Sequence, residues 1–278
     1  MTLNIGILAV QGDVTENFLS TMVSMNELGL DGAVSQVKTV EQISKLDGLI
    51  IPGGESTMIG QMSLVNGALK TIKEKVESGM PVFGICAGMI LLSKNSKDRV
   101  VGNTEQPLLD LLDVKVERNS FGRQKDSFEA QISLEPIGIT SFNGVFIRAP
   151  SISEAGNDVK ILAKFNEKIV AVQQGNVLAT AFHPELTRDT SLHKSFVQMV
   201  SESKSYSDFR LCIAVRSFLK ISNSFGISIL MESFSERSLS FFSFQTLELN
   251  SMILDVCSFT LCGFSDFGSC SLCILSFE

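Results

Sequence analysis

Cys86 stands in the pentapeptide Gly84-Ile85-Cys86-Ala87-Gly88, directly after the apolar run Pro81–Ile85. This is the Gly-x-nucleophile-x-Gly pattern of a strand-to-helix elbow, with a thiol where other enzymes carry a hydroxyl. The flanking glycines predict a sharp turn that presents the sulfur on a strained corner. The N-terminus of the following helix favours the thiolate, and the Ala87 amide can face a developing oxyanion. A small cysteine packed in an ordinary turn is the plain alternative. A nucleophilic thiol needs a base, and Phe182-His183-Pro184-Glu185 follows the apolar run Val177–Ala181. Glu185 can reach back to the imidazole and hold the tautomer that leaves the other nitrogen for Cys86. His193, inside a later helical pattern, is assigned to packing or to a surface hydrogen bond.

A third candidate is Pro52-Gly53-Gly54-Glu55-Ser56-Thr57. Two glycines after a buried run allow close backbone approach to a ligand, and Ser56 or Thr57 is expected to cap the next helix. The Gly-Lys-Ser/Thr ending of a phosphate-binding loop is missing.

These groups must be positioned by elements that bring strand ends together. Residues 4–10, Gly48–Pro52 and Pro81–Ile85 read as short buried strands. Between them, Phe18, Leu19, Met22, Met25 and Leu28 form one helix face closed by Gly29, and Ala68, Leu69, Ile72 and Val76 form another stopped at Gly79. Strands alternating with helices predict a mostly parallel sheet with helices on both faces and function at the carboxyl ends of the strands. Shorter strands are expected at 113–117, 127–133, 144–148, 159–165, 169–174 and 177–182, some of them antiparallel. The stretch Lys94–Pro107 reads as a surface loop. A last helix is predicted over roughly 190–200, with Asp189 as its N-cap.

Composition divides the chain near residue 200. Of its 278 residues, 201–278 hold 19 serines, 11 of the 20 phenylalanines and five of the six cysteines. Lys plus Arg split 18 and 5 and Asp plus Glu 22 and 8, so the net charge splits −4 and −3. With a pI near 5.0, the chain lacks the basic stripe of a nucleic-acid binder, and no apolar run is long enough to span a membrane. One thiol in the first 200 residues suits a reducing, cytoplasmic setting.

Taken together, six segments resemble the class I glutamine amidotransferases, and within them the glutaminase-subunit family of pyridoxal 5′-phosphate synthase. The segments are Leu8–Gly12, Pro52–Thr57, Val82–Met89, Glu117–Gln124, Val145–Pro150 and Phe182–Leu186. The resemblance implies a flavodoxin-like three-layer α/β sandwich over residues 1–200, with 201–278 an extra C-terminal tail. It implies Cys86, His183 and Glu185 as catalytic triad, and Gly54, Glu55, Ser56, Arg118, Ile147 and Arg148 as binders of L-glutamine. The backbone amides of Gly54 and Ala87 would donate to the oxyanion. It further implies hydrolysis of L-glutamine to L-glutamate, with the ammonia passed to a partner synthase subunit in a hetero-oligomeric complex. No metal or cofactor is called for, since Cys and His carry the reaction, and neither nucleic acid nor membrane enters as partner.

Two other readings stay open on the residues alone: a Cys-elbow hydrolase of the same superfamily, and an amidotransferase relative acting only as a binding subunit. The tail contains no proline and has windows, such as Ser238–Phe244, that are β-prone and almost uncharged. The spacing of Cys257, Cys262, Cys270 and Cys273 is one a zinc site could use, but a Ser/Cys-biased stretch without histidine produces such spacings by chance. The tail is read as an addition outside the working enzyme.

Overall fold

The computed structural model describes residues 2–98, 102–103, 105–122 and 127–224. Arg123 and Gln124, and the cysteines from Cys257 to Cys273, lie outside the described residues. The chain divides into two units, Met1–Ser205 and Tyr206–Glu278, and the sheet and the candidate site lie in the first.

The first unit opens with β1 (Leu3–Leu8), α1 (Val14–Glu27), β2 (Gly32–Val37), α2 (Val40–Ser44), β3 (Gly48–Ile51), α3 (Ser56–Val65) and α4 (Ala68–Glu77). It continues through β4 (Val82–Ile85), α5 (Ala87–Leu92), β5 (Ser93–Asp98), β6 (Gly102–Asn103) and β7 (Leu112–Arg118). A hairpin follows, β8 (Phe128–Leu134) and β9 (Ile139–Phe146), then β10 (Ser151–Ala155), β11 (Lys160–Phe165), β12 (Lys168–Gln174) and β13 (Val177–Thr180). The last helix is α6 (Ser191–Ser224). Strands β2-β1-β3-β4-β13 lie side by side and parallel, and the sheet continues through β12, β10, β7, β5 and β6. The β13–β12, β12–β10 and β10–β7 pairings are antiparallel, as expected of the shorter strands.

Helices cover both faces, and β4 shows why. Adjacent side chains on a strand point to opposite faces. Phe83 packs on His193 and Phe196 of α6, whereas a Cβ at Gly84 would meet Leu92 of α5 at 2.4 Å. Through Asn17 and His193, α1 joins α6. At the centre of the sheet, β3 and β4 are apolar and fully buried. The α4 stripe Ala68, Leu69, Ile72 and Val76 is the face that packs inward, as its spacing predicts.

The stripe on α1 does so only in part, through Met25, Phe18 and Leu28. Leu19 is 55% and Met22 44% exposed, while Asn17, Thr21, Ser24 and Met25 are buried. The rotation is possible because Thr21 and Ser24 hydroxyls donate to the carbonyls of Asn17 and Ser20, so small polar side chains enter the core with their donors satisfied. The expected loop Lys94–Pro107 contains β5, which pairs in parallel with β7 and so belongs to the sheet. The last helix extends well beyond residue 200, to Ser224. Its N-cap position is Thr190, whose carbonyl accepts from the Lys194 amide at 2.8 Å, and the expected cap Asp189 stands one residue earlier, where it accepts from the Ser191 amide at 2.9 Å. Among the described residues no helix is long and apolar enough to cross a membrane.

Candidate active site

Cys86 lies between β4 and α5 at φ 49° and ψ −98°, a region a non-glycine residue occupies only when its surroundings force it. The elbow therefore strains Cys86 itself and not its glycine neighbours. Gly84 and Gly88 are required for another reason. A Cβ on Gly88 would stand 2.2 Å from the Ile51 carbonyl oxygen, and one on Gly84 would meet the Gly88 backbone at 2.7 Å. The glycines let α5 close onto β3 and β4, which aims its N-terminus at the sulfur.

β13 runs parallel to β4, with Thr180 opposite Ile85, so the two chains end together and His183 is delivered beside Cys86. The His183 amide donates to Val145 O of β9 at 2.8 Å, and a 3₁₀ turn over Pro184–Leu186 follows. That turn carries Glu185 back under the ring, where Oε1 lies 2.8 Å from Nδ1. A second carboxylate reaches the same nitrogen, because Asp13 Oδ2 lies 3.2 Å away. Burial opposes the imidazolium, but bonds to Asp13, Cys86 and Glu185 outweigh it and hold His183 up to about 12. Burial likewise pushes the Glu185 carboxyl up, against the pull of the imidazolium. The arrangement favours the imidazolium form of His183.

Asp13, His183 and Glu185 offer three donors within 4.8 Å of one another, a spacing a metal ion could use. Two ligands on one tetrahedral ion, with bonds of about 2.0–2.1 Å, stand about 3.3 Å apart. The 2.8 Å between Nδ1 and Glu185 is a hydrogen-bond distance, so the cluster is built around a proton.

A cavity of about 310 Å³ opens over the thiol, bordered by Cys86, Ala87 and His183 and by Gly54, Glu55 and Ser56 at the start of α3. Arg118, Ile147 and Arg148 close it from β7 and from the end of β9. Thus all the residues expected to form triad and glutamine site border one cavity, except Glu185, which lies behind the imidazole. The N-cap of α3 is Glu55, not Ser56 or Thr57: its carboxylate accepts from the Thr57 and Met58 amides at 3.2 and 2.7 Å. Its longer side chain also reaches Arg118 Nη2 at 3.3 Å. The segment Ile147–Arg148 is anchored by Phe146, buried and stacked on Phe128 at 4.7 Å, and Arg148 itself sits at φ 45°.

Some site residues escaped the sequence reading. Gln106, in the supposed loop, is buried, and its Oε1 accepts from Ser56 Oγ, Thr57 Oγ1 and Arg118 Nη1, each at 3.1 Å. Gln11 Oε1 accepts from the Glu55 amide at 2.8 Å, and Asn119 borders the cavity. Asp13 is the N-cap residue of α1, yet its side chain makes no capping bond, which would ordinarily contribute about 1 kcal/mol. For Gln11 and Asp13 a signal existed, since Gln11-Gly12-Asp13 follows β1 at the same sheet edge as the other motifs.

The model of the SNO glutamine amidotransferase family matches residues 7–202. The chain is 62% identical over 204 residues to a protein of Nitrosopumilus maritimus named pyridoxal 5′-phosphate synthase subunit PdxT, covering 73% of this chain and all of that one. Identity to the protein of the same name from Archaeoglobus fulgidus is 46% over 197 residues, or 71% of this chain and 98% of the relative. A crystal structure described as a glutamine amidotransferase superposes with a TM-score of 0.62 at 42% identity, over 71% of this chain and 98% of its own.

Proposed function

The chain belongs to the SNO glutamine amidotransferase family, and from that membership we propose that it hydrolyses L-glutamine to L-glutamate and ammonia. The ammonia goes to the synthase subunit of pyridoxal 5′-phosphate synthase, as the names of its relatives indicate. The observation that carries this reading is the meeting of Cys86, at a strained elbow, with the His183–Glu185 pair at the wall of one cavity that also holds Arg118.

Cys86 thiolate attacks the carboxamide carbon of glutamine, and the carbonyl oxygen becomes an oxyanion facing the amides of Gly54 and Ala87. One such donor stabilises the transition state by about 3 kcal/mol. As the C–N bond breaks, His183 gives its proton to the leaving nitrogen, and ammonia departs from a γ-glutamyl thioester. His183 then takes a proton from water as the water attacks the thioester, and glutamate leaves with Cys86 restored. Glu185 keeps the imidazole in place through Nδ1 and stabilises its charge. Arg118, Glu55, Ser56, Ile147 and Arg148 hold the amino-acid end of the substrate.

Residues 1–200 are the working glutaminase, within the cytoplasm, and 201–278 a tail outside it; the family match over 7–202 supports that division. Intact mass of the native protein tests whether the tail is carried. The activity is tested by glutamine-dependent ammonia release with and without the synthase subunit. Release that depends on Cys86 and rises with the partner is expected; full release by Cys86→Ala would overturn the assignment.

A further inference from the structure

We propose that Asp13 is a positioning residue for His183, sharing the Nδ1 proton with Glu185 and so holding the ring charged and aimed at Cys86. The inference rests on the glutaminase reading of this site. Asp13 Oδ2 lies 3.2 Å from Nδ1, beside the 2.8 Å contact of Glu185 Oε1. The two carboxylates differ in kind. The Glu185 side chain is fully buried, whereas that of Asp13 is 39% exposed and borders the cavity.

Three features show that the approach of Asp13 is built into the fold. As N-cap of α1 its carboxylate would ordinarily accept from that helix's own first amides, yet it makes no such bond and is turned to the imidazole. Its amide donates to Gly53 O at 3.1 Å, tying the residue to the loop that borders the cavity. Across that contact a Cβ on Gly53 would stand 2.3 Å from His183 Cε1 and 3.0 Å from Asp13 Oδ2, so only glycine there lets loop, ring and carboxylate meet.

The charged groups around the ring are few. Cys86 faces it from the elbow, Glu185 from the 3₁₀ turn and Asp13 from the entry to α1. β9 contributes the Val145 carbonyl, which accepts from the His183 amide. The other charges of the cavity are Arg148 and the Glu55–Arg118 pair, which are bonded to each other. Removing the Asp13 charge leaves Glu185 as the remaining carboxylate on Nδ1. The imidazolium becomes easier to deprotonate, and the proton it must hand to the leaving nitrogen is lost at lower pH.

The test is the pH titration of the His183 ring in the full chain, read by NMR on histidine labelled with nitrogen-15. In Asp13→Asn the half-point is expected to fall by about one pH unit, the low end for loss of a charge at this range. Asp13→Glu should restore part of the shift. With the synthase subunit present, kcat for glutamine should fall several-fold while KM stays. An unchanged half-point in Asp13→Asn overturns the proposal, and so does a fall in melting temperature without a shift, since Asp13 would then serve only α1. The ring titration needs no glutamine. A chain that shows the shift but releases no ammonia supports this role for Asp13 while defeating the glutaminase reading.

Discussion

Asn17 and His193, 176 positions apart, meet in the core at 3.1 Å, His193 Nε2 donating to Asn17 Oδ1. The ring stands edge-on to Phe83, on the strand that leads to Cys86, and its Nδ1 has no partner. The residue serves packing, one of the two roles its position suggested, and it does so in the interior and not at the surface.

Burial lowers His193 to about 4. In the unfolded chain the imidazole takes a proton near 6.5, in the folded one only near 4. Between those values the unfolded state binds more protons, so stability falls as pH drops, by about 3 kcal/mol over the whole interval. Urea unfolding of the parent and of His193→Leu between pH 7 and 4 should differ by this slope. Parallel pH profiles would show that the imidazole does not titrate there.

Gly53→Ala should strike catalysis harder than folding. The new Cβ would press on His183 Cε1 at 2.3 Å, and an ångström of displacement in a reacting group lowers turnover about 100-fold. Stability should fall by about 1–3 kcal/mol. Steady-state kinetics beside a thermal melt separates the two losses.

Gln106 joins Ser56, Thr57 and Arg118 through one oxygen. Gln106→Leu leaves those donors without their shared acceptor, which should lower stability by about 2 kcal/mol. It should also raise KM for glutamine about tenfold as Arg118 loses its orientation. Gln106→Glu keeps the oxygen and should hold KM near the parent value. Equal KM values for parent and Gln106→Leu would mean that Arg118 is fixed by Glu55 alone.

At Cys86 the backbone strain gives an unusual expectation. Cys86→Ala and Cys86→Gly should both lack glutaminase activity, but the glycine variant should be the more stable by about 1 kcal/mol. Glycine accepts φ 49°, where alanine is strained. Comparing their unfolding midpoints in denaturant decides it.

The sequence alone singled out Cys86, His183 and Glu185, which the structure brings together, because each follows an apolar run and the strand-end rule needs only local pattern. It also identified the stripe on α4 and the seam in composition near residue 200. On α1 it was right in part: Met25 buries and Phe18 and Leu28 pack on the core, but Leu19 and Met22 face outward while small polar residues bury beside them. Periodicity cannot tell which face turns inward when serine and threonine satisfy their own donors along the helix. Only the tertiary structure brought Gln106 to Arg118 and Asp13 to His183. Those contacts depend on how far a side chain reaches across a cavity between elements distant in sequence. They also depend on two glycines having no Cβ, at Gly53 and at Gly88, where β3, α3 and α5 crowd the elbow. Spacing along the chain records where strands end, whereas the distance between their side chains is set by packing.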